Sequence, residues 1–384
     1  MNDSQPIVET PSLENNEHRS ATWIELFFDL IFVVAIAKAA HVLLHVHHGH
    51  IESVIYLKYV LIMIPLWWAW TGSTLYSSRF DCDDALQRIM SLAQMFCVVI
   101  LAVNINTDFD TYYFGFLMGY VAIRFFTVLM YARASFNYPD KKHVSNYLAI
   151  AFSIGIIISL CSLFFDGLLR YIILYAGIAF DIIMPLLGGK RLKTVPVNSH
   201  HLPERFGLLT IILFGEAILS LANSFKNFSW SIESIAMATC GFILTCSFWW
   251  LYFDNTERKV AGKIVGHGQS IIYSHILIYL GLGGMAAMIH FAVSPELNLF
   301  DYKILTLFSV LTFIFALQFL HFMFHQGKLR KHLLINAIIY NLVFIALVVF
   351  GFSITFIMAS VTSLTVLYVV FDRYTFGKLV SWKI

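Results

Sequence analysis

The sequence predicts an all-α polytopic membrane protein with about twelve transmembrane helices. The 384 residues are 59% hydrophobic and only 12% charged, and the mean hydropathy is +0.76. Long apolar runs recur along the chain, and Lys and Arg concentrate in alternate segments between them. A soluble domain is about one quarter charged, so this chain lacks the polar surface of a water-soluble enzyme or nucleic-acid-binding protein. The net charge of +2 indicates no polyanionic partner, and the partner we expect is the lipid bilayer.

The individual elements follow from runs of about 20 apolar residues. The first 22 residues are polar and form a predicted N-terminal tail. The last two spans are nearly continuous, and Gly351 is the plausible break between them. The predicted spans are 23–44, 54–76, 89–105, 112–132, 144–164, 171–188, 204–224, 232–253, 267–292, 303–324, 333–350 and 353–372.

The basic residues predict the orientation of these spans. With the N-terminus in the cytoplasm, the cytoplasmic segments hold nineteen Lys and Arg residues and the opposite side holds four. Cytoplasmic loops of membrane proteins carry an excess of Lys and Arg. We therefore expect a multi-pass protein of the bacterial cytoplasmic membrane, with both termini in the cytoplasm.

Weak internal similarity predicts two parallel six-helix repeats. Glu25 and Glu204 each stand two residues before a Phe at the start of a span, and Trp pairs occur at 67–68 and 249–250. Paired halves of this kind are common in transport proteins. The predicted division is a cytoplasmic tail at 1–22, a first half at 23–188, a linker at 189–203, a second half at 204–372 and a cytoplasmic tail at 373–384.

Several charged residues fall inside or at the edges of the spans. A charge near the bilayer centre costs about 2.5–3.5 kcal/mol on insertion scales, so such residues usually face the bundle interior with a partner. Two interpretations are open, namely ion pairs that fix helix register and a polar route for an ion or proton. The candidates are Glu25, Asp29, Arg124, Asp181 and Glu216.

Glu216 is the candidate for which a functional role is the most specific hypothesis, because nearly all its neighbours along the span are apolar. We expect it between the inner leaflet and the midplane, together with Asp29, Arg124 and Asp181. Either Glu216 binds a transported cation or proton, or Arg124 is its structural mate. Buried carboxylates can take up protons, which would permit proton coupling.

The histidines give weaker signals. His41 and His45 have the i, i+4 spacing of helical metal ligands, but no Cys or carboxylate is interleaved with them, so we expect no metal site. His275 lies among apolar residues and is read as a core histidine in preference to a catalytic one. Nucleotide-binding and hydrolase motifs are absent from the sequence. We therefore expect that the protein has no catalytic residues, binds no cofactor and is not an enzyme.

Three blocks of sequence are distinctive, namely TWIELFFDLIFVVAIAKAAHVL at 22–43, HLPERFGLLTIILFGEAIL at 201–219, and FWWLYFD at 248–254 followed by YSHILIYLG at 273–281. In this order along the chain, they resemble the signature segments of the bacterial low temperature requirement protein A (LtrA) family. The resemblance implies a multi-pass membrane protein associated by name with growth at low temperature, without a settled activity. Lys38 departs from the family pattern, which has an uncharged polar residue there. The motif positions that carry over are Glu25, Asp29, Glu204, Arg205, Gly215, Glu216, Asp254 and His275.

A fainter resemblance concerns the first span. FFDLIFVVAIA at 27–37 is similar to the FSD-type segment of two-repeat potassium channels, in which that segment lines the pore. The resemblance implies a pore-lining role for Asp29. The second half has no matching Asp after Phe206, which weakens the implication.

These observations leave three functional hypotheses. The first is a transporter or channel for an ion or small solute, with a route along spans one and seven and with proton coupling as one option. The second is a non-transporting sensor or structural protein whose charges lock helices together. The third is a lipid-acting intramembrane enzyme that uses His275 and an acid. A homo-oligomer is compatible with each of them.

Overall fold

The computed structural model describes residues 19–80, 82–224, 231–255, 268–324 and 327–381. Within these ranges the chain forms thirteen α-helices and no β-strand. The helices are α1 (Trp23–His41), α2 (Ser53–Arg79), α3 (Ala85–Val103), α4 (Phe109–Asn137), α5 (Lys142–Cys161), α6 (Gly167–Leu187), α7 (Gly189–Leu192), α8 (His201–Ser224), α9 (Ile232–Asn255), α10 (Gln269–Val293), α11 (Leu299–Phe324), α12 (Gly327–Phe350) and α13 (Ile354–Ser381).

Twelve of these helices are long and apolar enough to cross a membrane. The exception is α7, which has four residues. The last two spans separate at Gly351, because α12 ends at Phe350 and α13 begins at Ile354. The predicted polytopic all-α fold is therefore confirmed.

Two predicted boundaries differ from the helices. The side-chain oxygen of Asn198 accepts a hydrogen bond from the backbone N–H of His201 at 2.9 Å, and α8 begins at His201 inside the predicted linker. At the other end of the chain, α13 continues to Ser381, within the predicted C-terminal tail. The linker between the halves is thus shorter than expected, and it contains α7.

The α10 helix lies at the centre of the bundle. Of its membrane-crossing window, 83% is buried, the largest share of any described span, and α10 packs against α1, α2, α8, α9 and α11. Glycines allow this close packing, since a Cβ at Gly281 would lie 2.7 Å from the backbone N of Phe313 in α11. Small residues let membrane helices approach in this way.

The two halves share only part of their packing pattern. In the first half α1 packs on α3, and in the second half α8 packs on α10. The second span of each half packs differently. In the first half α2 packs on the fourth span, α4, whereas in the second half α9 packs on the sixth span, α13. Trp67 and Trp68 are buried, whereas Trp249 and Trp250 are more than 40% exposed. The parallel repeat stays a prediction.

Candidate functional site

The two halves of the chain meet at a buried cluster of charges, here called the inter-half cluster (Glu25, Asp29, His201 and Arg205). The Arg205 guanidinium binds Asp29 through two bonds, Nη2 to Oδ1 at 2.5 Å and Nε to Oδ2 at 3.2 Å. The indole N–H of Trp70 also donates to Asp29 Oδ1, at 2.7 Å. Asp29 has no exposed surface. Both oxygens of this carboxylate therefore accept hydrogen bonds within the protein.

Glu25 completes the cluster one turn nearer the start of α1. Its Oε1 lies 3.1 Å from Arg205 Nη1, and its Oε2 lies 3.2 Å from Nε2 of His201. The Oε2 atom also accepts a hydrogen bond from the backbone N–H of Thr22 at 2.8 Å, which forms a capping box at the helix start. Glu25 therefore fixes the start of α1 and holds it against α8.

Spacing on the two helices explains how the inter-half cluster forms. Glu25 and Asp29 are four residues apart on α1, and His201 and Arg205 are four residues apart on α8. Residues four apart share a helix face, so one face of each helix meets the other. Bidentate Arg–carboxylate geometry is strong and directional, which suits it to hold two helices in register.

A second buried pair lies wholly within the first half. Arg124 of α4 donates from Nε to Asp181 Oδ2 of α6 at 3.0 Å, and at most 1% of either side chain is exposed. The ring centroid of Phe152 in α5 lies 4.2 Å from Arg124 Cζ, a cation–π contact. This pair, called here the first-half pair, joins α4, α5 and α6.

Two glycines make room for the first-half pair. A Cβ at Gly72 in α2 would collide with Arg124 Nη1, and a Cβ at Gly155 in α5 would collide with Asp181 Oδ1. Helix α5 also approaches α6 at Gly177, where a Cβ would lie 2.7 Å from the carbonyl oxygen of Gly155. The close approach at Gly177 thus places α5 beside the Asp181 carboxylate.

The first-half pair has more unused hydrogen-bonding capacity than the inter-half cluster, where the described buried atom without a partner is His201 Nδ1. Arg124 Nη1, Asp181 Oδ1 and the hydroxyl of the neighbouring Tyr120 are buried and make no hydrogen bond to any described residue. A buried polar group without a partner costs about 1–3 kcal/mol. Each such group in a folded protein calls for an explanation, and a bound ion or water molecule is one. The first-half pair is therefore the stronger candidate for a working site.

A polar cleft opens towards the predicted cytoplasmic side and is called the inner cleft. Its cavity volume is about 40 Å³, and it lies between α1, α2, α3, α4 and α8. Hydroxyl and amide groups line much of it, together with Glu25 and Arg205 of the inter-half cluster. The polar residues from α2 and α3 are Ser73, Tyr76, Ser77, Gln87, Ser91 and Gln94.

A second cleft, the outer cleft, lies on the predicted opposite side of the same half. Its cavity volume is about 20 Å³, and aromatic and amide side chains line it. Tyr175 of α6 borders this cleft, and its hydroxyl donates to the carbonyl oxygen of Leu61 at 2.8 Å. The first half therefore carries a cleft at each end of the first-half pair.

Polar groups connect the inner cleft to the first-half pair. Gln94 Nε2 donates to Ser73 Oγ at 3.1 Å and to Thr127 Oγ1 at 3.0 Å. Thr127 and Arg124 both lie against Gly72. Thus, a hydrogen-bonded series leads from the cleft wall to the position next to the Arg124 guanidinium.

One further residue connects the pair towards the outer cleft. Tyr120 lies one turn from Arg124 on α4. Phe116, one turn beyond Tyr120 on the same helix, lines the outer cleft. We call the whole series the polar chain; its members are Ser73, Gln94, Thr127, Arg124, Asp181 and Tyr120.

Glu216 lies outside the polar chain. Its Oε1 is 3.6 Å from Nε2 of His41, the last residue of α1. Because His201 is level with Glu25, the 15 residues to Glu216 advance by about 22 Å. Glu216 therefore lies further from the inner side than predicted, and the carboxylate that pairs with Arg124 belongs to Asp181.

Other sequence candidates lie apart from both charge clusters. Glu204 is exposed, and a Cβ at Gly215 would meet nothing within 4 Å. Asp254 is partly buried near the end of α9, and Lys38 is exposed on α1. None of these four residues is a member of the polar chain.

His275 is a hydrogen-bonded core residue. Its Nδ1 lies 2.6 Å from the carbonyl oxygen of Ile271, and its Nε2 lies 2.7 Å from the hydroxyl of Tyr252 in α9. The carbonyl can only accept, so Nδ1 carries the proton and Nε2 accepts from Tyr252. Both ring nitrogens are thus occupied in joining α10 to α9.

The described histidines form no metal centre. Helix α1 ends at His41, so His45 does not continue its helical face. Over the part of the chain that the structure describes, no three His, Cys, Asp or Glu side chains are placed to hold a metal ion.

Sequence reasoning missed several members of these sites. Arg205 was named only through the family resemblance, although its spacing from His201 mirrors that of Glu25 and Asp29. In α4, Tyr120, Arg124 and Thr127 recur at helical intervals, which could have indicated one polar face. Gln94 and Trp70 carry no distinguishing spacing, and only the packing of α2 against its neighbours reveals their partners.

Comparison with known proteins places this architecture in a family. An uncharacterized protein of Rhizobium meliloti (strain 1021) is 26% identical over 261 residues, which cover 65% of this chain and 62% of that protein. The match thus spans less than two thirds of the relative's length. The family model described as bacterial low temperature requirement A protein (LtrA) matches residues 20–371. That range contains both charge clusters and all twelve spans except the end of the last one, and the chain belongs to the LtrA family.

Proposed function

We propose that this LtrA-family protein is a transporter or channel that moves an ion or small solute across the bacterial cytoplasmic membrane. The observation that carries the proposal is the polar chain, which runs between the inner and outer clefts through the buried first-half pair. Charged and unpartnered polar groups are expensive within a membrane and commonly mark ion or substrate pathways. The route lies between α2, α3, α4 and α6, and the charge distribution supports cytoplasmic termini.

The route differs from the one expected from sequence along spans one and seven. Those spans correspond to α1 and α8, whose inter-half cluster occupies both oxygens of Asp29. The first-half pair instead retains an unpartnered oxygen on Asp181 and an unpartnered nitrogen on Arg124. Unused donors and acceptors can bind a transported species without first breaking a protein contact, and this favours α4 and α6 as the route.

A second candidate function is that of a non-transporting sensor or structural membrane protein. The specific observation in its favour is the saturated Asp29–Arg205–Trp70 arrangement, which resembles a helix lock. The lipid-acting enzyme gains no such support, because the candidate His275 has both nitrogens committed to Tyr252 and Ile271.

The test is flux through purified protein in liposomes, recorded electrically on a solid-supported membrane over a panel of inorganic ions and small solutes. Gly72→Ala introduces a methyl group against Arg124 Nη1 and should reduce flux at least tenfold. Gly215→Ala is the matched control, because it adds the same methyl group to a membrane helix where nothing lies within 4 Å. The control should conduct like the unmodified protein.

Melting temperatures in detergent separate blockage from misfolding. We expect folded Gly72→Ala protein with reduced flux. Absence of flux for every species tested, or equal flux in Gly72→Ala and the unmodified protein, would contradict the proposed route. The first of these results would favour the non-transporting alternative.

A further inference from the structure

We infer that the transported ion is the proton and that Asp181 carries it through the first-half pair. This inference rests on the proposed function and names the species that passes along the polar chain. Three features of the pair lead to it: its charge, the space around it and the unpartnered groups on either side.

The charge of the pair disfavours a metal ion. Arg124 Nη2 lies 3.0 Å from Asp181 Oδ2, so a fixed positive charge already occupies the neighbourhood of this carboxylate. Metal cations such as Ca²⁺ take six or more oxygen ligands, whereas this pair offers one carboxylate. No grouping suitable for a metal ion occurs within the described ranges. A proton needs only a single acceptor oxygen, and Asp181 Oδ1 is one.

The packing around the pair disfavours a solute of several atoms. The Arg124 guanidinium lies on the Phe152 ring, and Nη1 touches the backbone at Gly72. On the other side, Asp181 Oδ1 touches the backbone at Gly155. Protons can pass between hydrogen-bonding groups without needing the volume that a solute would need.

The groups facing Asp181 suit a proton step. Arg124 binds its Oδ2 from α4, Tyr120 lies one turn from Arg124 on that helix, and Gly155 of α5 lies against its Oδ1. A hydronium ion from the outer cleft transfers its proton to the Asp181 carboxylate beside Tyr120, which leaves one water molecule and a neutral carboxylic acid. The acid then returns the proton to water on the inner side, and the hydronium ion formed leaves past Thr127, Gln94 and Ser73. The carboxylate is restored, so atoms and charge balance over the cycle.

Arg124 has a positioning role in this cycle. Its guanidinium cannot lose a proton in proteins, so it does not relay one. While Asp181 is charged, Arg124 holds Oδ2 and leaves Oδ1 available. Because Arg124 attracts the carboxylate more strongly than the neutral acid, it favours release of the proton once Asp181 is protonated.

The experiment measures proton entry into liposomes that contain the full chain and the pH dye pyranine. A pH gradient drives the flux, and equal potassium on both sides with valinomycin holds the membrane potential at zero. Tyr120→Phe should reduce proton flux at least tenfold without loss of folding, because the hydroxyl it removes has no partner among the described residues. The matched control is Tyr56→Phe, which removes another buried, unpartnered hydroxyl, on the side of α2 that packs against Phe308. The control should retain the unmodified rate.

Variants of Asp181 test the carrier itself. Asp181→Asn should lower proton flux to the level of empty liposomes, and Asp181→Glu should retain a measurable rate. Because Asp181→Asn leaves Arg124 without its counter-charge, the double variant with Arg124→Gln is included; it should melt at a higher temperature than Asp181→Asn and still lack flux.

The outcomes separate this inference from the proposed function. Proton flux in Asp181→Asn or Tyr120→Phe equal to that of the unmodified protein would overturn the inference. Sodium, potassium or anion currents at equal pH, with no proton flux, would overturn it too and leave the proposed transport function standing. No flux of any species would remove both.

Discussion

The guanidinium of Arg205 holds the carboxylate of Asp29 through two hydrogen bonds, although 176 residues separate them in sequence. One residue opens the first half of the chain and the other opens the second. Their contact sets the position of α1 against α8, whereas the first-half pair retains unpartnered groups. The protein thus separates the charges that hold its halves together from those proposed to conduct.

Removing one member of the Asp29–Arg205 contact should destabilise the fold strongly. Arg205→Gln leaves the buried Asp29 carboxylate without its counter-charge, an effect of about 3–5 kcal/mol for buried pairs. The double variant Asp29→Asn/Arg205→Gln should regain much of this loss, since no unpaired charge remains. Detergent melting curves of both single variants and the double variant measure the coupling. Additive losses in the double variant would show that the contact does not lock the halves.

The close approach of α5 and α6 should be sensitive to one added methyl group. A Cβ at Gly177 would lie 2.7 Å from the carbonyl oxygen of Gly155 and 2.8 Å from the backbone N of Ser159. Backbone atoms cannot move aside as a flexible side chain can, so Gly177→Ala should cost about 1–3 kcal/mol. Thermal unfolding in detergent measures the loss, with Gly215→Ala as the unobstructed control. Unchanged stability in Gly177→Ala would mean that the two helices are further apart than described.

An ion pair outside the membrane should give a pH-dependent contribution to stability. The Arg133 guanidinium bonded to Asp84 lowers the pKa of that carboxyl, and the backbone N–H of Gln87 adds to the effect. A lowered folded-state pKa stabilises the fold above the unfolded pKa of about 3.9, and the contribution disappears as pH falls through the folded-state pKa.

The variant Asp84→Asn isolates this charge, because Asn can still cap α3. At neutral pH it should melt slightly below the unmodified protein, since the pair is exposed and screened. Melting curves between neutral and strongly acid pH should show the difference shrinking. A difference that persists unchanged in acid would indicate that the cap, and not the charge, is responsible.

The orientation of the bundle is testable without any variant of the spans. The excess of Lys and Arg in alternate loops predicts that reporters fused after Lys142, Lys193 and Lys331 lie in the cytoplasm. A reporter near Asp108 should lie on the opposite side. Enzyme reporters that are active on only one side of the membrane distinguish these cases. A reporter after Lys331 on the side opposite to that of Lys193 would require an odd number of spans between these two residues.

The helices could be predicted from sequence because a membrane restricts what a chain can do. Every backbone group of a spanning segment must be satisfied within that segment, so each apolar run becomes a helix wherever its neighbours lie. The break at Gly351 could likewise be predicted from local sequence, because this glycine lies between two apolar runs. The start of α8 was missed because the cap formed by Asn198 depends on a polar turn that hydropathy does not register.

The pairing of the charges could not be predicted, because it depends on which helix faces meet. Arg124, Asp29, Asp181 and Glu216 were all expected at similar depth, and depth alone allows several partners. The structure joins Arg124 to Asp181 through the glycines at 72 and 155, and it leaves Glu216 against His41. Helix packing, which hydropathy does not encode, decides between these arrangements.

The long separation of Asp29 from Arg205 has a consequence for biogenesis. A ribosome adds about 5–20 residues per second, so Arg205 is synthesised roughly 10 to 35 s after Asp29. Asp181, by contrast, follows its partner Arg124 by only 57 residues. A nascent chain that has inserted α1 to α6 therefore contains both members of the first-half pair. At that point Arg205, the counter-charge of Asp29, has not yet been synthesised. Only the arrival of α8 completes the joint, so assembly of the two halves must finish after translation has passed the middle of the chain.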